Sequence, residues 1–167
     1  FQDNTGQFHL LWQDTFQQTV FYLNGNGTTW SDPVAITPPF STPLTQSTET
    51  NPLPLIAPTF VTDNNGLVHA FWRNNLEELR YSRVALADFA DGSQWSTPVT
   101  LATNVPAFTA HAADGQLGLL YVVANDEPTT PAGVFYLGSA DGGETWGDAA
   151  ALYNSAYFRL LTPEEFS

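Results

Sequence analysis

The chain has 167 residues, enough for one domain with its own core. Only 13% of them are charged, and four Arg without a single Lys face seventeen Asp plus Glu, for a net charge of −13; such a field repels phosphate backbones and anionic lipid and argues against nucleic-acid and membrane-surface binding. Cysteine is absent, which removes disulfides, thiol catalysis and thiolate metal sites together and leaves the redox compartment open.

No apolar run approaches the length of a membrane span, so membrane insertion is not expected, and the first residues lack the zones of a signal peptide. Methionine is absent even from position 1, which suggests a piece trimmed from a longer chain. In chain order, strands are expected at 8–13 (FHLLWQ), 19–23 (TVFYL), 57–62 (APTFVT), 67–73 (LVHAFWR), 79–84 (LRYSRV), 117–123 (LGLLYVV) and 133–138 (GVFYLG). Each is short and rich in Val, Phe, Tyr or Trp, and Gly, Asn and Asp clusters bound most of them. Helical spacing is nearly missing. Only 74–87 (NNLEELRYSRVALA) has it, and its Tyr81, Ser82 and Val84 fit a strand equally well, so the fold class is all-β.

Two segments align without gaps. Asp3-Asn-Thr-Gly6-Gln-Phe8-His9-Leu-Leu-Trp12 matches Asp63-Asn-Asn-Gly66-Leu-Val68-His69-Ala-Phe-Trp72, and Gly115 to Tyr121 is a weaker third copy. Each reads as a turn feeding a strand. A second feature follows each copy: Gly stands three places before Trp30, Trp95 and Trp146. The first two copies run on through Pro33-Val34 and Pro98-Val99 into another short strand. Between them, 36–55 holds five prolines with many Ser and Thr, and 38–54 is expected to be a polar surface loop. A repeat of about 50 residues carrying four short strands is what one blade of a β-propeller requires, because a lone four-stranded blade has two faces to cover.

The segment Ser139-Ala-Asp141-Gly-Gly143-Glu-Thr145-Trp146 matches the Asp-box, Ser/Thr-x-Asp-x-Gly-x-Thr-Trp, at all five defining positions. On this motif, repeated in phase with the Gly-x-x-His-x-x-Trp strands, the chain resembles the sialidase-like propellers built from bacterial neuraminidase repeats. The earlier boxes are degenerate: Leu23, Gly25, Gly27, Thr29 and Trp30 in the first, and Asp88, Ala90, Gly92, Gln94 and Trp95 in the second, where Asp91 is close enough to serve. The resemblance makes the box a structural turn between the third and fourth strands of a blade. The Asp accepts turn amides, Gly adopts a conformation that a Cβ would obstruct, and Trp packs into the apolar layer. Ser139, Asp141, Gly143, Thr145 and Trp146 are therefore structural rather than catalytic. His9, His69, Trp12, Trp72, Trp30 and Trp95 recur in phase, which also favours structural roles.

Blades are expected over 1–37, 55–102 and 105–153, with 156–161 (AYFRLL) as the first strand of a further or completing blade. That makes three blades' worth of strands, whereas closed propellers typically use about 4–8. The chain is thus expected to need company: a second copy, making a six-bladed ring, or blades missing from this polypeptide. The resemblance also implies a three-arginine clamp on a carboxylate with a Tyr/Glu nucleophile and an Asp acid/base. Only Arg159 resembles the family's first-strand arginine, without its Pro and on the wrong side of the boxes, and it is the candidate ligand-binding residue. Arg73, Arg80 and Arg83 stand near Glu77 and Glu78, as local charge pairs do. Tyr81 and Tyr136 hold equivalent third-strand places, which points to packing. No catalytic set can be assembled.

His111 has no companion at ligand spacing, so no metal site is expected. No cofactor is expected either, although Asp63, Asn64, Asn65, Asp114, Asp126 and Glu127 offer oxygen to adventitious calcium. The expectation is an extracellular or cell-surface propeller segment acting as a glycan- or protein-binding or structural module. The alternative is part of a glycoside hydrolase of exo-sialidase type, completed by blades outside this chain.

Overall fold

The computed structural model describes residues 1–14, 19–40, 58–124 and 131–160. Among them the chain is all-β, in three antiparallel sheets whose strands pair in chain order. The first contains β1 (Phe8–Asp14), β2 (Thr19–Gly25) and β3 (Val34–Ile36). The second contains β4 (Thr59–Thr62), β5 (Leu67–Arg73), β6 (Leu79–Ala85) and β7 (Val99–Ala102). The third contains β8 (Ala107–Ala113), β9 (Gln116–Val123), β10 (Gly133–Ser139) and β11 (Ala150–Asn154). The segment 74–87, ambiguous by its spacing, makes a turn, β6 and a 3₁₀ turn at Leu86–Asp88. No described helix is long and apolar enough to cross a membrane.

The inner strands of the central sheet, β5 and β6, are covered on both faces, and strand alternation decides what each face meets. Val68, Ala70 and Trp72 of β5 point to the first sheet, into a cluster with Tyr22, Ile36, Phe40, Phe89 and Trp95. Their neighbours His69 and Phe71 point the other way, with Leu79 and Tyr81 of β6, toward Leu117, Leu119, Tyr121, Phe135 and Leu137 of the third sheet. The register aligns the aromatic rows: Leu11 pairs with Tyr22, Phe71 with Tyr81 and Leu120 with Tyr136. Polar clips join successive sheets. Asn4 Nδ2 donates to the Asp63 carbonyl at 2.9 Å, and an Arg73 guanidinium N–H donates to the Pro106 carbonyl at 3.0 Å.

Two expectations are corrected. The stretch expected as a first strand over 156–161 is not one where it is described: Ala156–Arg159 is a 3₁₀ turn whose start is capped by Ser155 Oγ, accepting the Tyr157 N–H at 3.2 Å, and Leu161 lies outside the described residues. The loop 38–54 is not purely a polar excursion. Phe40 is buried, edge-on to Trp72 and Trp95 with ring centroids 6.0 and 5.6 Å away, while 41–54 lie outside the described residues.

Candidate functional site

The most conspicuous polar constructions lie at the turns. In 139–146 the chain must reverse after β10. Ser139 Oγ donates to Asp141 Oδ1 at 2.8 Å and accepts the Gly143 N–H at 2.8 Å. Asp141 accepts the Thr145 N–H at 2.9 Å on Oδ1 and the Thr145 hydroxyl on Oδ2. Gly143 has φ +81°, and a Cβ there would lie 1.8 Å from Tyr81 Oη. Trp146 then meets Tyr81 edge-on, with centroids 5.1 Å apart and planes at 80°. All five box residues therefore act on one turn and its seat on the central sheet.

The degenerate boxes reach the same end with other atoms. Asn26 Oδ1 accepts the N–H groups of Thr28 and Thr29, both at 2.9 Å, so an amide one place along from Gly25 does the work of the missing Asp. Asp91 Oδ1 accepts the Ser93 N–H at 2.9 Å and caps the 3₁₀ turn Gly92–Gln94. Trp95 is buried, its indole N–H donating to the Phe89 carbonyl at 3.2 Å. Trp30 is not covered; it leans on Phe8 with centroids 6.3 Å apart, on the outer side of the first sheet.

His9 and His69 sit in matching Asp–His–Tyr chains. His9 Nε2 lies 3.1 Å from Asp3 Oδ2, and its Nδ1 lies 2.8 Å from Tyr22 Oη. An ionised carboxylate only accepts, so Nε2 carries the proton, and Nδ1 of the neutral ring accepts the phenol proton. In the second copy His69 Nδ1 lies 2.9 Å from Tyr81 Oη, while Nε2 is 3.6 Å from Asp63 Oδ2, beyond hydrogen-bond length. Both Asp residues also clamp their own turns: Asp3 Oδ1 accepts from Thr5 and Gln7, and Asp63 Oδ1 from Asn65 and Leu67. The tyrosine partners were not expected from the sequence. What the two copies share is the hairpin register, in which each Tyr stands opposite the residue two places after its His, Leu11 and Phe71. In the third sheet Gly118 replaces the histidine, and the ring of His111, its register partner on β8, covers that position closely.

Burial raises the Asp3 carboxyl, but hydrogen bonds from His9, Thr5 and Gln7 outweigh it and hold it near about 2, below the ordinary 3.8. Hydrogen bonds from Thr145 and Ser139 likewise hold Asp141 near about 2. Burial pushes His69 below its ordinary 6.5 despite the nearby Asp63, and pushes the Tyr81 phenol up, so that it remains a donor. For all three acceptors the unfolded chain binds protons more readily, so stability falls as pH falls. The histidine contribution begins to go below about pH 6.5, and the carboxylate contribution is lost between about pH 4 and pH 2. Urea midpoints measured from pH 7 to pH 2 should decline over both intervals, and Asp141→Asn should flatten the lower one while lowering the midpoint at pH 7.

The guanidiniums are occupied by their own chain. Arg83 donates to the Gly142 carbonyl at 2.6 Å and pairs with Glu144, tying the central sheet to the box turn. Arg80 pairs with Glu78 at 3.3 Å and donates to Thr100 Oγ1 at 2.9 Å. Arg73 binds carbonyls, not the neighbouring carboxylates expected from the sequence. Arg159 stands in the 3₁₀ turn after β11, not on a strand. A cleft of about 530 Å³ runs beside the box turn, lined by Tyr81, Arg83, Ser96, Thr100, Glu144 and Trp146. Among the described residues no three His, Asp or Glu side chains gather as a metal set; Asp126 and Glu127 lie outside them. No family model matches this chain, and no curated protein does.

Proposed function

We propose that the three sheets are blades of a sialidase-like β-propeller and that the chain serves as a glycan- or protein-binding and structural module outside the cell or at its surface. The blade reading is supported by the box turn, in which every motif residue has a local job, and by the repeated stacking of one sheet's Tyr face on the next sheet's Trp face. The acidic, Lys-free composition motivates the extracellular placement.

The observation that carries the reading toward binding rather than turnover is where the arginines go. A three-arginine carboxylate clamp needs guanidiniums converging on one point with donors to spare. Arg73, Arg80 and Arg83 all rise from the central sheet and spend donors on carbonyls or carboxylates of the same chain. Arg159 stands apart from that sheet in the chain, in the turn that follows the third. The test is a glycan array run beside a fluorogenic sialoside. Specific retention of a glycan without fluorophore release is expected; turnover by this chain would overturn the reading in favour of a glycoside hydrolase.

A further inference from the structure

We propose that two copies of this chain associate head to tail, the Trp12 face of each first sheet packing on the Tyr136 face of the other's third sheet. The inference rests on the blade reading above, since it extends the stacking rule that orders the three sheets.

The outer face of the first sheet carries Phe8, Leu10, Trp12 and Trp30, each between 39 and 45% exposed. Aligned by the repeat, the first three correspond to Val68, Ala70 and Trp72, and to Leu117, Leu119 and Tyr121. Those six are at most 7% exposed, because a neighbouring sheet lies over them. At the far end the pattern inverts. Leu120 and Tyr136 are 38 and 37% exposed, whereas their register counterparts Phe71 with Tyr81, and Tyr22, are buried by the following sheet. The two bare faces are therefore the two different halves of one interface that the chain builds twice within itself.

The internal joints also say how the halves meet. Trp146 of the third sheet rests edge-on against Tyr81 of the second. Trp30 is the equivalent indole of the first sheet, and Tyr136 the equivalent phenol of the third. In a head-to-tail pair Trp30 of one copy reaches Tyr136 of its partner, and each chain uses both of its bare faces. A pair in which every such face is covered is closed; one open joint would instead propagate copies into filaments. Chemistry agrees with this choice of occupant. In a chain with seventeen Asp plus Glu, the facing rows Phe8, Leu10, Trp12, Trp30 and Leu120, Tyr136 are apolar or aromatic, and Asp14, at the end of β1, is the one carboxylate in the Trp12 row. The net −13 of each chain opposes association at long range, so added salt should tighten the pair.

Light scattering on the intact chain should give 36.6 kDa, twice the 18.3 kDa of one copy, with the 18.3 kDa species gaining as salt is lowered. Trp12→Asp and Tyr136→Asp alter exposed side chains and should keep the wild-type circular dichroism while each weakens association at least about 30-fold. Mixing the two variants leaves one intact joint and should restore a pair. A wild-type chain that is monomeric at high concentration, a ladder of growing masses, or dissociation by only one variant would overturn the proposal. Mass and glycan retention are separate readouts: a monomer that still retains a glycan defeats the pairing alone, and a pair that retains none and turns over sialoside defeats the binding reading alone.

Discussion

Gly143→Ala should destabilise the protein by about 3 kcal/mol, combining a left-handed backbone that alanine resists with an overpacked contact. The φ of +81° accounts for one part and the Tyr81 hydroxyl, 1.8 Å from the added Cβ, for the other. That phenol is held in place: it is 2% exposed, bonded to His69 Nδ1 at 2.9 Å and edge-on to Trp146. For a chain of this size the loss should lower Tm by roughly 6–12 °C. Gly66→Ala is the control. Its φ is +77° but nothing lies within 4 Å of the new Cβ, so only the backbone cost of about 1 kcal/mol should appear. Equal losses at the two glycines in a urea titration would show that the Tyr81 contact does not matter.

The second large effect belongs to Phe71. It is fully buried at the centre of the joint between the second and third sheets, 5.0 Å from Tyr81 and 6.0 Å from Trp146 by ring centroids. Phe71→Ala should cost about 3–5 kcal/mol, because the sheets on either side cannot collapse into the space. Leu120 holds the same repeat position on the third sheet but is exposed. In dilute protein Leu120→Ala should cost less than about 1 kcal/mol. Urea midpoints for both variants check this, and similar losses would mean that something already covers Leu120 in the isolated chain.

The central strands were readable because their signals are local. LVHAFWR is continuous, aromatic and β-branched, and a Gly turn precedes it; its expected bounds, 67–73, are those of β5. β8, AFTAHAA, belongs to the blade expected over 105–153, but its bounds are not legible, because alanine carries little strand preference of its own and this strand depends on pairing with β9. The reverse error occurred at AYFR. Its aromatic content reads as strand, but Ser155 caps a 3₁₀ turn there and β11 has already closed the sheet.

The polar constructions divide in the same way. The intact box could be read residue by residue, since Asp141 and its donors lie within four positions of one another. The Asn26 substitute escaped a fixed template because the amide sits one place away from where the motif expects its carboxylate. Tyr22 and Tyr81 as histidine partners required the hairpin register, which no count of spacings supplies. Phe40 falls in the stretch expected as a polar loop and Phe89 lies outside every expected strand, and each is a core aromatic because two sheets meet over it.

What the sequence alone determined is strand, turn and repeat, all set by steric preference and hydrogen bonding among residues a few places apart. The tertiary structure alone decided which copy of a recurring row is covered. Trp12 and Trp72 hold one position in the repeat, as do Tyr136 and Tyr81, yet only Trp72 and Tyr81 are buried. Burial belongs to a side chain together with the surface opposite it, and that opposite surface comes from a neighbouring sheet some 50 residues distant along the chain or more.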